Sequence, residues 1–209
     1  MIRIVLAAPP SFIFDAWRRL CGDLVDVEIF EGSVFDVDCE ALVSPANSFG
    51  FMDGGIDAQY TERFGDKVQD RLRLRILERH HGELLVGAAE IVETDDQVHP
   101  FLIAAPTMRV PMALPAETVN PYLATRAALV LVREGVFLDG APISKRVSSL
   151  CFPGMGTGVG RVPADICARQ MRAAIEKSRQ SRHSLPKSWS EASEDHQLLY
   201  AEKPQRLQY

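Results

Sequence analysis

The chain has 209 residues, 46% hydrophobic and 24% charged, with a net charge of −5. That is enough for one sizeable domain with its own core, in the ordinary balance of a soluble globular protein. The acidic excess argues against a general nucleic-acid binder, so an anionic ligand would have to be held by backbone N–H groups or helix ends rather than by an overall positive field.

The opening run Ile2–Ala8 is apolar but for Arg3 and stops at Pro9-Pro10. It is too short for a secretory leader and reads as a strand covered on both faces. Ser11 is placed to cap a helix through about Cys21, with Phe12, Trp17 and Leu20 as apolar positions. Val25–Phe30 alternates apolar and acidic residues, the period of a strand, and Ala41–Pro45 is a short apolar strand. Ile56, Tyr60, Phe64, Val68, Leu72 and Ile76 then recur every fourth residue, one face of a helix broken near Gly65. Ala88–Glu93 and Phe101–Pro106 read as strands, Glu117–Glu134 as a helix and Val147–Phe152 as a strand. Pro163 suits the first turn of a helix carrying Ile166, Cys167, Met171 and Ala174 on one side.

This alternation predicts a three-layer α/β/α domain with a central mixed, mostly parallel sheet over residues 1–178. Residues 179–209 are polar and rich in serine and charge, the composition of a flexible tail. Trp189, Leu198, Leu199 and Tyr200 also suit a short helix anchored on the domain, from Ser188 or Ser190 to about Ala201. The cysteines Cys21, Cys39, Cys151 and Cys167 lie in apolar stretches without a CxxC pair, which favours buried reduced thiols and a cytoplasmic location. No apolar run approaches the roughly 18 residues of a membrane span.

Two loops concentrate glycine. The first, Asn47 to Asp57, contains Gly50, Gly54 and Gly55 and runs into a helix. The second is Gly154-Met-Gly-Thr-Gly-Val-Gly160. It matches neither the GxGxxG dinucleotide pattern nor a Walker loop, because Val159 and Arg161 stand where glycine or a small residue is needed and no GK[ST] exists. Both loops leave the carboxyl ends of strands, where ligands of α/β sheets bind. Glycine lets the backbone approach a phosphate, and successive N–H groups with a helix N-terminus favour an anion. Two such cradles at one sheet edge suit a diphosphate. His80-His81 reads as a surface pair at a helix end, His99 as a loop residue, and the "RLRLR" run at 71–75 as the solvated side of a helix.

The stretches "ALVSPAN…GFMDGGID", "FPGMGTGVGRVP" and "EGSVF" together resemble the signatures of the macro domain, in the right order and over about residues 25–178. The resemblance implies binding of ADP-ribose, or action on an ADP-ribosylated substrate, without a metal or other cofactor; the charge and the short apolar runs add the expectation of no nucleic acid in general and no membrane as partner. It implies that Asn47 hydrogen-bonds the distal ribose and Asp57 activates or orients a water, the two catalytic candidates. Gly54, Gly55 and Ile56 match the first phosphate loop. Gly154, Gly156, Thr157, Gly158, Val159 and Gly160 make up the second, and Ser33, Val34 and Ala46 complete the ligand-binding set. The chain departs from the family where Ser33 replaces the acid that reads the adenine amino group, with Asp36 or another residue as the substitute. Ser44 replaces an asparagine common in the hydrolases, Thr61 stands where some members have histidine, and Gly160 replaces an aromatic residue. Three readings follow: a hydrolase of mono-ADP-ribosyl-protein, O-acetyl-ADP-ribose or ADP-ribose 1″-phosphate; a binding module without turnover; and a structural or assembly protein, for instance of a phage, that keeps only the fold.

Overall fold

Successive residues of a strand point to opposite faces of a sheet, so a continuously apolar strand needs cover on both sides. The four central strands of this chain are buried nearly throughout, and the two edge strands only in part. In the computed structural model, which describes residues 2–180 and 183–205, the chain forms β1 (Arg3–Ala8), β2 (Val27–Glu31), β3 (Ala41–Ser44), β4 (Glu90–Glu93), β5 (Phe101–Ala104) and β6 (Ser149–Phe152). They make one mixed sheet in the order β2-β1-β6-β3-β5-β4, parallel throughout except for β4, which runs antiparallel to β5.

The strand residues sort into two buried clusters. Ile4, Leu6, Val43, Ile103, Leu150 and Phe152 face α1 (Phe12–Cys21), α4 (Asn120–Glu134) and α5 (Ala164–Arg179). Val5, Leu42, Leu102 and Cys151 face α2 (Gly55–Phe64) and α3 (Lys67–Arg79). The fold is therefore a three-layer α/β/α sandwich. All four cysteines are buried free thiols. Among the described residues no helix is long and apolar enough to cross a membrane.

The helical stripe from Ile56 to Ile76 divides between two helices. Tyr60, Val68, Leu72 and Ile76 are buried, and Ile56 and Phe64 pack against the same cluster. Gly65 closes α2 with its N–H donating to the Thr61 carbonyl at 2.8 Å, so the period survives a change of helix.

Other elements begin later than the sequence pattern suggests. β2 starts at Val27 because Asp26 turns the chain with φ of 59° and Val25 lies exposed. Ala116 and Glu117 form a turn, and α4 starts at Asn120 with Pro121 in its first turn. Ser11 does not cap α1; its hydroxyl donates to the Pro9 carbonyl at 2.8 Å.

Beyond α5 the chain forms α6 (Trp189–Gln197), with the Ser188 hydroxyl accepting from the Glu191 N–H at 3.1 Å. Lys177 pairs with Asp195, and Leu199 is buried, but Trp189 and Leu198 are exposed. The histidines also differ from expectation. His80 is half-buried, with Nε2 3.0 Å from the buried Glu90 carboxylate. His99 lies in a loop yet is fully buried, its Nε2 2.8 Å from the Val37 carbonyl and its ring edge-on to Phe35 and Phe64. Both histidines give a buried polar group its partner.

Candidate functional site

Strands β1, β6 and β3 are neighbours in the sheet, so the loops that leave their carboxyl ends lie side by side. The chain moves outward from β1 to β2 on one side and then crosses to β3 on the other. This is the topological switch point at which an α/β sheet opens a crevice. A cavity of about 500 Å³ occupies that place, a volume suited to a small-molecule ligand. It is lined by Ser33, Val34, Ala46, Asn47, Gly54, Gly55, Ile56 and Asp57 from one side and by Gly154, Gly156, Thr157, Gly158, Val159 and Gly160 from the other. The two catalytic candidates and the residues assigned to the ligand-binding set thus line one cavity, and Asp36 does not.

The first loop is held from within and from behind. Asn47 Oδ1 accepts from the N–H groups of Phe49 at 3.1 Å and Phe51 at 3.2 Å, and its Nδ2 donates to the Phe51 carbonyl at 2.8 Å. An asparagine that folds its side chain onto the following backbone closes a turn without regular structure. One Nδ2 hydrogen remains for a ligand. Met52 fastens the far side: its N–H donates to Gln69 Oε1 at 2.7 Å, and its carbonyl accepts from the Thr61 hydroxyl at 2.8 Å. Thr61 therefore has a loop-pinning role in the position where a histidine was the alternative. Gly55 has φ of 58°, a conformation costly for any residue with a Cβ, and begins α2.

The second loop is tighter. Gly156 has φ of 78°, and the carbonyl of Gly156 accepts from the Val162 N–H at 3.1 Å. A Cβ at Gly160 would lie 2.5 Å from the Gly156 carbonyl oxygen. The loop folds back on itself at that point, which explains why glycine stands where an aromatic residue was the alternative. Among the described residues, the N–H groups of Thr157, Gly158, Val159 and Gly160 donate to no protein acceptor, and neither do those of Gly54, Gly55 and Ile56. Two rows of free donors, one at a helix N-terminus, form an anion cradle with no cationic side chain on the wall. Arg161 lies outside the lining; its N–H donates to the Gly158 carbonyl at 3.0 Å.

Asp57 stands in the first turn of α2 and is 7% exposed. Its Oδ1 accepts from the Ser44 hydroxyl, which is itself buried at the end of β3. Burial pushes the carboxyl up to about 6; the Ser44 hydrogen bond opposes that shift, and the neighbouring Asp53 charge adds to it. Tyr60, one turn further on, is held neutral by burial and donates to the Val43 carbonyl at 3.0 Å. Asp53 and Asp57 are the charged side chains on the cavity wall.

At the opposite end, Ser33 lines the cavity, but its hydroxyl accepts from the Phe35 N–H at 3.3 Å. Asp36 does not reach the cavity. Its carboxylate accepts from the Ser33 N–H at 3.0 Å and completes a capping box on a single 3₁₀ turn at Val34–Asp36. It is therefore no substitute for a base-reading acid.

Sequence reasoning missed Ala8 at the end of β1 with Pro9, Ser11 and Ile13 after it, and Thr107, Met108 and Pro111 after β5. The signal available for them was positional, since each group follows the carboxyl end of a predicted strand. Phe51 was missed as well; it lines the cavity mouth with the Arg73 guanidinium stacked 4.5 Å above its ring. Among the described residues no group of three or more His, Cys, Asp or Glu side chains is arranged to hold a metal ion.

Residues 43–171 match the family model of the macro domain. An uncharacterized protein of Aquifex aeolicus (strain VF5) is 35% identical over 153 residues, covering 73% of this chain and 82% of its own. The Oceanobacillus iheyensis macrodomain with ADP superposes with a TM-score of 0.56 at 21% identity, over 69% of this chain and 71% of that one. Thermosipho africanus DarTG in complex with ADP-ribose superposes with a TM-score of 0.54 at 13% identity, over 81% of this chain and 49% of that one. The extent of the family match and the identity to the Aquifex relative agree with the fold and with the two glycine loops at its switch point, and the chain belongs to the macro domain family.

Proposed function

We propose that this chain binds ADP-ribose in the switch-point cavity and hydrolyses ADP-ribose derivatives at the distal ribose, with residues 1–178 as the binding unit and 179–209 outside it. The observation that carries the reading is the buried Asp57 carboxylate in the same cavity as two rows of unpaired N–H donors. The donors suit a diphosphate, and the folds of proteins solved with ADP or ADP-ribose support the same ligand. Asp57 takes a proton from water as the water oxygen bonds to the anomeric carbon. The bond from that carbon to the acceptor breaks, and the acceptor leaves with the electron pair. A carboxyl poised near neutrality suits a base that must be ionised yet basic. Asn47 shapes the first loop and offers its remaining N–H to the ribose. The substrates in view are mono-ADP-ribosyl-protein and ADP-ribose 1″-phosphate, cleaved in this way, and O-acetyl-ADP-ribose, where the same proton transfer lets water bond to the acetyl carbonyl carbon and the ribose oxygen leaves with the electron pair.

Purified protein incubated with an ADP-ribosylated substrate is expected to release ADP-ribose, and Asp57→Ala to slow release by about 100-fold or more. Equal background rates from both would sink the hydrolytic reading. One observation favours a reader without turnover: the Asn47 amide is already engaged three times within its own loop. Calorimetry with ADP-ribose, set beside that assay, separates the two, since a reader binds ADP-ribose tightly and releases none from an ADP-ribosylated substrate.

A further inference from the structure

We propose that Ser44 is the positioning residue for Asp57, clamping Oδ1 through its buried hydroxyl so that Oδ2 is the oxygen presented to the cavity. The proposal rests on the hydrolytic reading of Asp57 and assigns a role to a residue outside the cavity lining. Ser44 is 1% exposed at the last position of β3, and its carbonyl accepts from the Ala105 N–H at 3.0 Å, which fixes the strand end against β5. Its hydroxyl donates to Asp57 Oδ1 across the whole first loop. Among the described residues this is the sole side-chain donor to Asp57, and Oδ2 has no protein partner and is not sealed from the cavity.

The groups around Asp57 make this contact decisive. Asp53, from the loop before α2, raises the cost of a charge on Asp57, and the Tyr60 phenol on the next turn is directed to the Val43 carbonyl. No cationic side chain lines the cavity. A hydroxyl has one proton to give, and here it is given to the carboxylate, which favours the ionised form against burial. It also restricts rotation of the carboxyl plane, so the free oxygen keeps one bearing.

The test is the Ser44→Ala variant, read in two ways. Carbon-13 NMR of the Asp57 carboxyl in substrate-free protein is expected to show its midpoint rising by about one pH unit. With an ADP-ribosylated substrate, the acid limb of kcat should move up with it, and kcat at neutral pH should fall about tenfold while KM stays within about twofold. In an Asp57→Asn background the same change should have no further effect on residual turnover. If Ser44→Ala does not fold, Ser44→Cys, similar in size and a poorer donor, reads the same midpoint. An unmoved Asp57 midpoint overturns the proposal while leaving wild-type turnover, the measure of the hydrolytic reading, intact. Absent turnover in the wild type overturns both.

Discussion

The Asn47 side chain grips Phe51 from both directions, donating to its carbonyl at 2.8 Å and accepting from its N–H at 3.2 Å. A ligand-wall residue is thus first a loop-closing residue. Asn47→Ala removes three hydrogen bonds and leaves the loop backbone to find water. We expect a stability loss of about 1–2 kcal/mol in urea unfolding, and a larger fractional loss in ADP-ribose affinity by calorimetry. Asn47→Asp keeps the accepting oxygen but sets a carboxylate against the Phe51 carbonyl, so it should not restore binding.

The glycines of the two loops do different work and should respond differently. Gly160→Ala places a Cβ 2.5 Å from the Gly156 carbonyl oxygen, a backbone atom that can move only if the loop opens. A loss of about 1–3 kcal/mol and at least a tenfold drop in ADP-ribose affinity are expected. A Cβ at Gly54 meets no protein atom within 4 Å, and its φ of −139° is open to any residue. Gly54→Ala should hold stability within about 0.5 kcal/mol of wild type. Thermal melts of the two variants side by side check the contrast.

Much of this site was legible in the sequence because glycine and strand ends are local signals. The stripe from Ile56 to Ile76 identified buried positions correctly even across the break at Gly65. What stayed hidden depends on partners distant in the chain. Nothing local to Gln69 says that it accepts from the Met52 N–H, and nothing local to His99 says that it will be sealed beneath Val37. Asp36 misled in the opposite sense: an acid near an expected base pocket was already used three residues back, as a cap. The short edge at Asp26 was invisible to alternation, because a left-handed turn does not alter the polarity pattern.

The contact between His80 and Glu90 provides a control remote from the cavity. Glu90 is 2% exposed and is met by His80 Nε2 at 3.0 Å, Arg79 at 3.4 Å and the Ile91 N–H at 3.1 Å. His80→Ala leaves a buried carboxylate with fewer partners, at a cost of about 1–3 kcal/mol. None of these residues lines the cavity, so ADP-ribose affinity below the melting temperature should be unchanged. Denaturation and calorimetry on one preparation test both halves.

Asp57 links stability to pH in a direction that can be worked out. Its folded carboxyl is pushed up to about 6 from 3.8, mainly by burial. Between those values the folded state holds a proton that the unfolded chain releases, so stability falls as pH rises and the loss is complete above about pH 6. A shift of this size corresponds to about 3 kcal/mol, an upper figure for so buried a group. Asp57→Asn carries no charge and should escape that loss. Its melting temperature should match wild type near pH 4 and exceed it at pH 7. Turnover should show the reverse dependence, with wild-type kcat rising through an inflection near pH 6 as the carboxylate forms and Asp57→Asn remaining near background throughout. The residue that weakens the fold at neutral pH would then be the one that makes the cavity reactive. A wild-type melting curve that is flat relative to Asp57→Asn between pH 4 and 7 would remove the basis for that trade.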